Sequence, residues 1–293
     1  MNPTIMHINY GETRHNCYGG NTIDDICRMA AEIGFDGIEF RGEAPKDIGE
    51  VSFEEYVAQV AAAQKKYGLS NIQFAISIEN ILSEDKELRA AGVQRALEKA
   101  QIVNDLCGTT LCNTFSATVR NTDPSVSSRD FARHGSAVAT QEQWDKIVES
   151  YRQLAKGIES LGVKLAFETH MNYIHDLPEP SKKLVDLIDS PNIGINMDYG
   201  NTVYFAGCTT VEETIDIYGD KLFYTHLKNS VPAAGDRTPT ALSEGAINHR
   251  AYLKKLQSVG FAGPIGIEAP RPGDRFWFAK QDYAYYKAVV DAL

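Results

Sequence analysis

The chain has 293 residues, 43% of them hydrophobic and 23% charged, an ordinary globular composition with length enough to bury a large core. A formal net charge of -10 argues against broad electrostatic binding to nucleic acid or to an anionic membrane, because both need clustered Lys and Arg. No apolar run approaches the roughly 20 residues that span a bilayer, and Met1-Asn2-Pro3-Thr4 is not a basic and then apolar leader, so the expected location is the cytoplasm.

In chain order, residues 5–10 alternate as a strand does, and Tyr18-Gly19-Gly20-Asn21 leads to Thr22, an N-cap for a helix to residue 32. Ile33-Gly34-Phe35-Asp36-Gly37-Ile38-Glu39-Phe40 then reads as a helix end, a Gly stop and a strand. The phrase returns at Tyr67-Gly68-Leu69 before a strand at 72–76, at Cys107-Gly108 before 109–113, and at Leu161-Gly162 before 163–167. It returns again at Tyr218-Gly219 before 222–225 and at Val259-Gly260 before 264–267. Helical patterns fill 53–66, 86–106, 141–160, 181–189 and 251–258. The five cysteines (Cys17, Cys27, Cys107, Cys112, Cys208) are scattered, without the close pairs of a zinc ribbon, and read as reduced thiols used as small hydrophobes.

Strands alternating with helices imply a parallel sheet covered by helices, since each parallel crossover needs a helix-length connection. Eight such units predict an α/β fold of the single (β/α)8 TIM-barrel type, one domain over residues 1–293, with an open doubly wound sheet as the alternative. No Gly-x-Gly-x-x-Gly follows the first strand, which argues against a dinucleotide-binding sheet. The connections 114–140 and 229–247 exceed the usual length of about 2 to 6 residues, and both follow strands. They are therefore expected on the C-terminal face, where active sites of this fold lie.

Four strands end on a metal-competent side chain: Leu165-Ala166-Phe167-Glu168, Ile195-Asn196-Met197-Asp198, Phe223-Tyr224-Thr225-His226 and Ile265-Gly266-Ile267-Glu268. Parallel strands in register bring such tips to one rim, where three carboxylates repel and drive a pKa upward unless a cation neutralises them. One divalent ion at Glu168, Asp198, His226 and Glu268 resolves the conflict. Oxygen ligands with one imidazole suit Mn²⁺ best, with Co²⁺, Mg²⁺, Fe²⁺ or Zn²⁺ compatible. The competing reading, independent polar strand ends facing solvent, holds easily for one tip and poorly for four in succession.

These residues resemble the sugar phosphate isomerase/epimerase superfamily, the xylose isomerase-like TIM barrels that also include endonuclease IV, inosose dehydratases and ketose 3-epimerases. The resemblance covers essentially the whole chain. It rests on Ala31-Glu32-Ile33-Gly34-Phe35-Asp36-Gly37-Ile38-Glu39, Phe167-Glu168-Thr169-His170, Ser190-Pro191-Asn192-Ile193-Gly194-Ile195-Asn196-Met197-Asp198, His226-Leu227-Lys228-Asn229, Ser243-Glu244-Gly245 and Gly260-Phe261-Ala262-Gly263-Pro264-Ile265-Gly266-Ile267-Glu268. It implies that Glu168, Asp198, His226 and Glu268 hold one divalent ion, usually Mn²⁺, and that Glu168 and Glu268 flank the substrate and move protons. A chelated carbonyl and adjacent hydroxyl acidify the intervening C–H, so carboxylates on either face can work through an enediolate.

The chain departs from the ketose 3-epimerases, which carry a His where this chain has Asn201 and an Arg where it has Pro232. The expected function is a metal-dependent isomerase or epimerase of a keto sugar, sugar acid or inosose, with a dehydratase or deglycosidase on the same scaffold as the alternative. An endonuclease IV-like nuclease is disfavoured by the acidic balance, and a non-catalytic sugar-binding barrel would need no metal. The partner is a small polyhydroxylated molecule, and a homo-oligomer is left open.

Further residues read as substrate contacts. His170 stands two beyond Glu168 and shares its side if the strand continues. Lys228 stands likewise to His226 and reads either as a ligand for a substrate oxygen or as a solvated lysine. His7 and Asn113 occupy comparable tips, and Arg271 follows Glu268 closely enough to meet a substrate anion. Asn9, Glu39 and Arg41 occupy comparable tips too, with a structural ion pair as the alternative for Glu39 and Arg41, and His134, His175 and His249 read as loop or surface positions. Trp144 reads as helix packing, and Trp277 as core or an aromatic wall.

Overall fold

The computed structural model describes residues 6–9, 22–44, 49–233, 236–269, 271 and 273–293. In chain order the elements are β1 (Met6–Asn9), α1 (Ile23–Ile33), β2 (Gly37–Phe40), α2 (Phe53–Tyr67), β3 (Asn71–Phe74) and α3 (Lys86–Cys107). They continue with β4 (Leu111–Thr114), α4 (Gln141–Ile158), β5 (Lys164–Glu168), α5 (Pro178–Ile188), β6 (Ile193–Asp198), α6 (Tyr199–Thr202) and α7 (Val211–Tyr218). The last are β7 (Leu222–Leu227), β8 (Asn229–Ala233), β9 (Asp236–Thr240), α8 (His249–Ser258), β10 (Ile265–Ile267) and α9 (Arg275–Val290).

Two compact units result. One comprises Met1–Phe74, Asp105–Thr109 and Tyr224–Leu293. Its parallel sheet runs β3-β2-β1-β10-β7, with Asn9, Glu39 and Gln73 aligned in one row across three strands. Helix α2 opens on a capping box between Ser52 and Glu55 and closes at Gly68, whose left-handed φ of 69° lets its N–H return to the Gln64 carbonyl. The sheet buries Phe40 and Phe74, stacked at 5.7 Å, with Tyr56 edge-on to both. Each such side chain contributes about 1.5–3 kcal/mol of burial.

The other unit comprises Ala75–Asn104 and Thr110–Phe223, with the parallel order β4-β5-β6. Thr140 and Gln143 form the capping box of α4, which lays Tyr151 on Phe167 of β5 at 4.6 Å. The Tyr151 hydroxyl reaches back to the Phe115 carbonyl just beyond β4.

The eight expected strands are present, each within a few residues of its predicted bounds. Among the described residues three helices lie outside the predicted ranges, the one-turn α6, α7 and α9, the last because its run of aromatics and charges carries no clear apolar stripe. The connection 229–247 holds an antiparallel ribbon, β8 with β9, hidden in the sequence by Pro232 and Pro239. Cys27, Cys107 and Cys112 are buried free thiols and Cys208 a partly exposed one, while Cys17 lies outside the described residues. Trp144 is buried as expected of helix packing, but Trp277 is 51% exposed and not core. Among the described residues no helix is long and apolar enough to cross a membrane.

Candidate active site

Within the unit built on β4-β5-β6, Glu168 closes β5 and is buried. Its Oε2 accepts from Asn113 Nδ2 at 2.7 Å and its Oε1 from Asn201 Nδ2 at 3.4 Å. Asn113 is itself aligned, its Oδ1 accepting from the Thr114 N–H and from Asn196 Nδ2. Asp198 ends β6, is fully buried, and accepts from the Asn201 N–H at 3.2 Å as the N-cap of α6. Asn201 thus binds both acids, and its amide also donates to the Thr169 carbonyl.

His175 fixes the same strand end from behind. Its Nδ1–H donates to the Glu168 carbonyl at 2.7 Å, and its Nε2 accepts from the Ser116 N–H. Burial pushes its pKa down to about 3, so the ring is neutral. His134 is buried as well, between the Asn121 N–H and the Ser127 carbonyl. His249, also buried, donates from Nε2 to the Lys228 carbonyl. His134 and His175 do lie in loops, whereas His249 opens α8; the surface alternative is corrected for all three, since each ring is buried and ties a backbone group that would otherwise lack a bond. Strand β5 ends at Glu168, so alternation does not carry to His170. That ring is partly exposed and meets Phe115 and Tyr173 edge-on.

In the unit built on β3-β2-β1-β10-β7, His226 is buried near the end of β7, with Nε2 2.8 Å from Glu39 Oε2 and Nδ1 3.4 Å from Glu268 Oε2. Lys228 Nζ lies 2.8 Å from the same Glu268 oxygen. Burial acts to raise the Glu268 pKa, but Lys228 and His226 outweigh it and hold the carboxyl well below its ordinary value. Lys228 is therefore a partner of Glu268 and not a solvated lysine. Glu39 is bound by His226 and by the Tyr224 hydroxyl at 2.7 Å, while Arg41 is exposed, so the expected pair of Glu39 with Arg41 gives way to this contact.

Arg271 is 7% exposed, with Nη2 2.9 Å from Asp282 and Nη1 donating to the Thr240 carbonyl. The guanidinium is thus buried on a carboxylate of α9. The side chain of His7 lies outside the described residues. In the sequence Asn196 and Tyr224 have no role of their own, and Asn201 is marked only as a departure from the epimerase histidine. Asn196 stands two before Asp198 and Tyr224 two before His226, the strand period that could have found them.

Glu168, Asp198, His226 and Glu268 form a Glu/Asp/His cluster, three of them buried, that could bind a metal. Each offers one ligand atom, and these atoms all lie within 4.8 Å of one another. Three carboxylates and one imidazole form a donor set suited to a divalent ion, and their crowded negative charge is what such an ion would neutralise.

The family model of the xylose isomerase-like TIM barrels matches residues 27–289. Among curated proteins, the chain is 27% identical over 172 residues to an inosose dehydratase of Geobacillus kaustophilus (strain HTA426), 53% of this chain and 55% of that one. That match spans about half the length of the relative. Over 248 residues, 80% of this chain and 81% of that one, it is 24% identical to a 3-dehydroshikimate dehydratase of Bacillus anthracis. Among solved structures, a D-allulose 3-epimerase from Methylomonas sp. superposes with a TM-score of 0.74 at 16% identity, covering 98% of each chain. A xylose isomerase-like TIM barrel protein from Mycobacterium smegmatis in complex with magnesium gives 0.71 at 20% identity, covering 99% of this chain and 97% of that one.

Proposed function

The chain belongs to the xylose isomerase-like TIM-barrel family, and from that premise we propose that it is a divalent-metal-dependent isomerase or epimerase of a keto sugar, sugar acid or inosose. The observation that carries this reading is the cluster of Glu168, Asp198, His226 and Glu268, whose ligand atoms lie within 4.8 Å of one another. When bound there, a divalent ion, Mn²⁺ by preference, supplies Lewis-acid polarisation of a substrate carbonyl and its neighbouring hydroxyl. The magnesium complex of the Mycobacterium smegmatis relative supports a divalent ion in this family's scaffold.

Glu168 and Glu268 act as the acid and base pair. Glu268, kept ionised by the Lys228 ammonium 2.8 Å away, takes the proton from the carbon next to the carbonyl. Glu168, its two oxygens fixed by Asn113 and Asn201, returns a proton through the enediolate. Lys228, as the cation beside Glu268, orients that carboxylate and meets a substrate oxygen, and partly exposed His170 adds a substrate contact. His7 remains a substrate contact by its place on β1.

A second reading, a lyase, is favoured by the dehydratase names of the curated relatives. There the same proton removal is followed by loss of a β-substituent. The test is to incubate the metal-loaded protein with keto sugars and inososes in deuterated water. Deuterium at the carbon next to the carbonyl, with a new isomer, is the expected result. Exchange with release of water or an aglycone would select the lyase. Neither exchange nor release, or no metal retained on purification and no activity restored by Mn²⁺ or Co²⁺, would overturn both readings.

A further inference from the structure

Glu39 lies on β2, remote in sequence from the four residues that form the cluster, yet it is 3% exposed and bonded directly to one of them. We propose that Glu39, held by Tyr224, is a positioning residue that fixes the proton of His226 on Nε2 and so presents Nδ1 as the metal-ligating nitrogen. This inference rests on the metal-dependent reading and deepens it.

The geometry carries it in three steps. A carboxylate is an acceptor only, so the 2.8 Å contact with Glu39 Oε2 requires that His226 Nε2 carry hydrogen. The Tyr224 hydroxyl donates to the same Oε2 at 2.7 Å, so that oxygen is held as an acceptor facing both side chains. With one ring nitrogen so engaged, the lone pair of the neutral imidazole lies on Nδ1, the nitrogen 3.4 Å from Glu268 Oε2. The remaining face of the ring therefore points toward a fellow member of the cluster.

The local sequence is arranged to permit the contact. His226 on β7 pairs in register with Gly266 on β10. A Cβ at residue 266 would come within 2.4 Å of the Tyr224 hydroxyl and 2.9 Å of His226 Cδ2, so only glycine leaves room for both side chains. Tyr224 and His226 lie edge to face, ring centroids 4.8 Å apart, and both converge on Glu39 Oε2. A neutral imidazole without this acceptor is free to hold its proton on Nδ1, which then cannot bind a metal. Residues behind a ligating histidine typically change metal affinity by about 10- to 100-fold when replaced.

The experiment compares wild type with Glu39→Gln, using chelator-treated protein titrated with Co²⁺ and followed by visible absorption. Histidine ¹⁵N spectra of the metal-free proteins at alkaline pH report the tautomer independently. Wild type should bind Co²⁺ and show the His226 proton on Nε2. Glu39→Gln should bind about 10- to 100-fold more weakly and show a mixture of tautomers. Tyr224→Phe keeps the Glu39 contact with His226 and should lose much less. Equal Co²⁺ affinity and an unchanged tautomer in folded Glu39→Gln would overturn the positioning role while leaving the metal reading intact. Absence of Co²⁺ binding by wild type would sink the metal reading, and the ligating role of Nδ1 with it. If Glu39→Gln does not fold, Glu39→Asp, which keeps the charge but draws it back by one methylene, should weaken binding in the same direction, and unchanged affinity there overturns the role.

Discussion

Lowering the pH from 7 to 5.5 should cost the metal-free protein up to about 1.7 kcal/mol of folding stability, chiefly through two imidazoles buried in neutral form. Burial pushes His175 down to about 3 and His249 to about 4, from an ordinary value of 6.5. As the pH falls below 6.5 the unfolded chain binds a proton at each position, and the folded chain does not until about 3 and 4. Stability present above 6.5 is therefore lost as the pH drops, by about 1.2 kcal/mol per ring over this interval. Asp282, whose carboxyl burial also raises, and Asp176 have the opposite sign. Burial lifts the Asp176 carboxyl from 3.8 to about 6, so the folded chain takes that proton first, which offsets the loss by about 0.8 kcal/mol. Glu39 and Glu268, both held below 4.5, keep their charge in this window and contribute little. The assay is reversible urea unfolding followed by circular dichroism at the two pH values, with chelator present so that metal binding adds nothing. His175→Gln, whose amide can still donate to the Glu168 carbonyl, should remove about 1.2 kcal/mol of the pH-dependent loss. Wild-type stability that is flat between the two pH values, or a loss in His175→Gln as steep as in wild type, would refute the reasoning.

Replacing Lys228 by Met removes the cation 2.8 Å from Glu268, so the acidic limb of the pH–rate profile should move to higher pH; an unmoved limb would show that Lys228 does not set that carboxylate's charge. Gly194→Ala should destabilise the protein by about 1–3 kcal/mol in urea, because its Cβ would come within 2.4 Å of the Phe223 ring and 2.7 Å of the Lys221 carbonyl. Gly157→Ala, 3.1 Å from the movable methyls of Leu97, is the control and should cost less. Shortening the ribbon between residues 231 and 239 should change stability by less than about 1 kcal/mol yet abolish turnover if it covers substrate, as its place after β7 suggests. The cut must spare Leu242, which is buried and donates its N–H to Asp282, so the connection is not removable over its whole length.

Local structure was the readable part of this chain. Thr22 caps α1 as its sequence predicts, and Gly34 closes it with a left-handed φ of 109°, because caps and stops depend only on residues within a turn of one another. The apolar run of β5 ending at Glu168 and that of β6 ending at Asp198 are likewise local patterns, and both appear at nearly their expected bounds. Patterns carried past the end of an element say less. Alternation gives His170 the side of Glu168 only if the strand continues, and β5 stops two residues before it. Arg271 was weighed by its nearness to Glu268, whereas its guanidinium is placed by Asp282 on α9, a helix the apolar pattern did not reveal.

By itself, then, the sequence determined the alternation of strands and helices, their caps, and which strands end in acids or an imidazole, since each of these is written in a handful of neighbouring residues. Only the tertiary structure decided what those ends touch. Glu39 and His226 are separated by 187 positions, and nothing local in Gly37-Ile38-Glu39-Phe40 distinguishes a surface ion pair with Arg41 from a buried acceptor for an imidazole. The choice was made by parallel pairing across β2, β1, β10 and β7 and by the missing side chain at Gly266. Histidines 175 and 249 teach the same lesson. An imidazole has no strong preference for surface or interior until the backbone groups that need its two nitrogens have been brought to it, and those groups, Ser116, Glu168 and Lys228, are assembled by the fold.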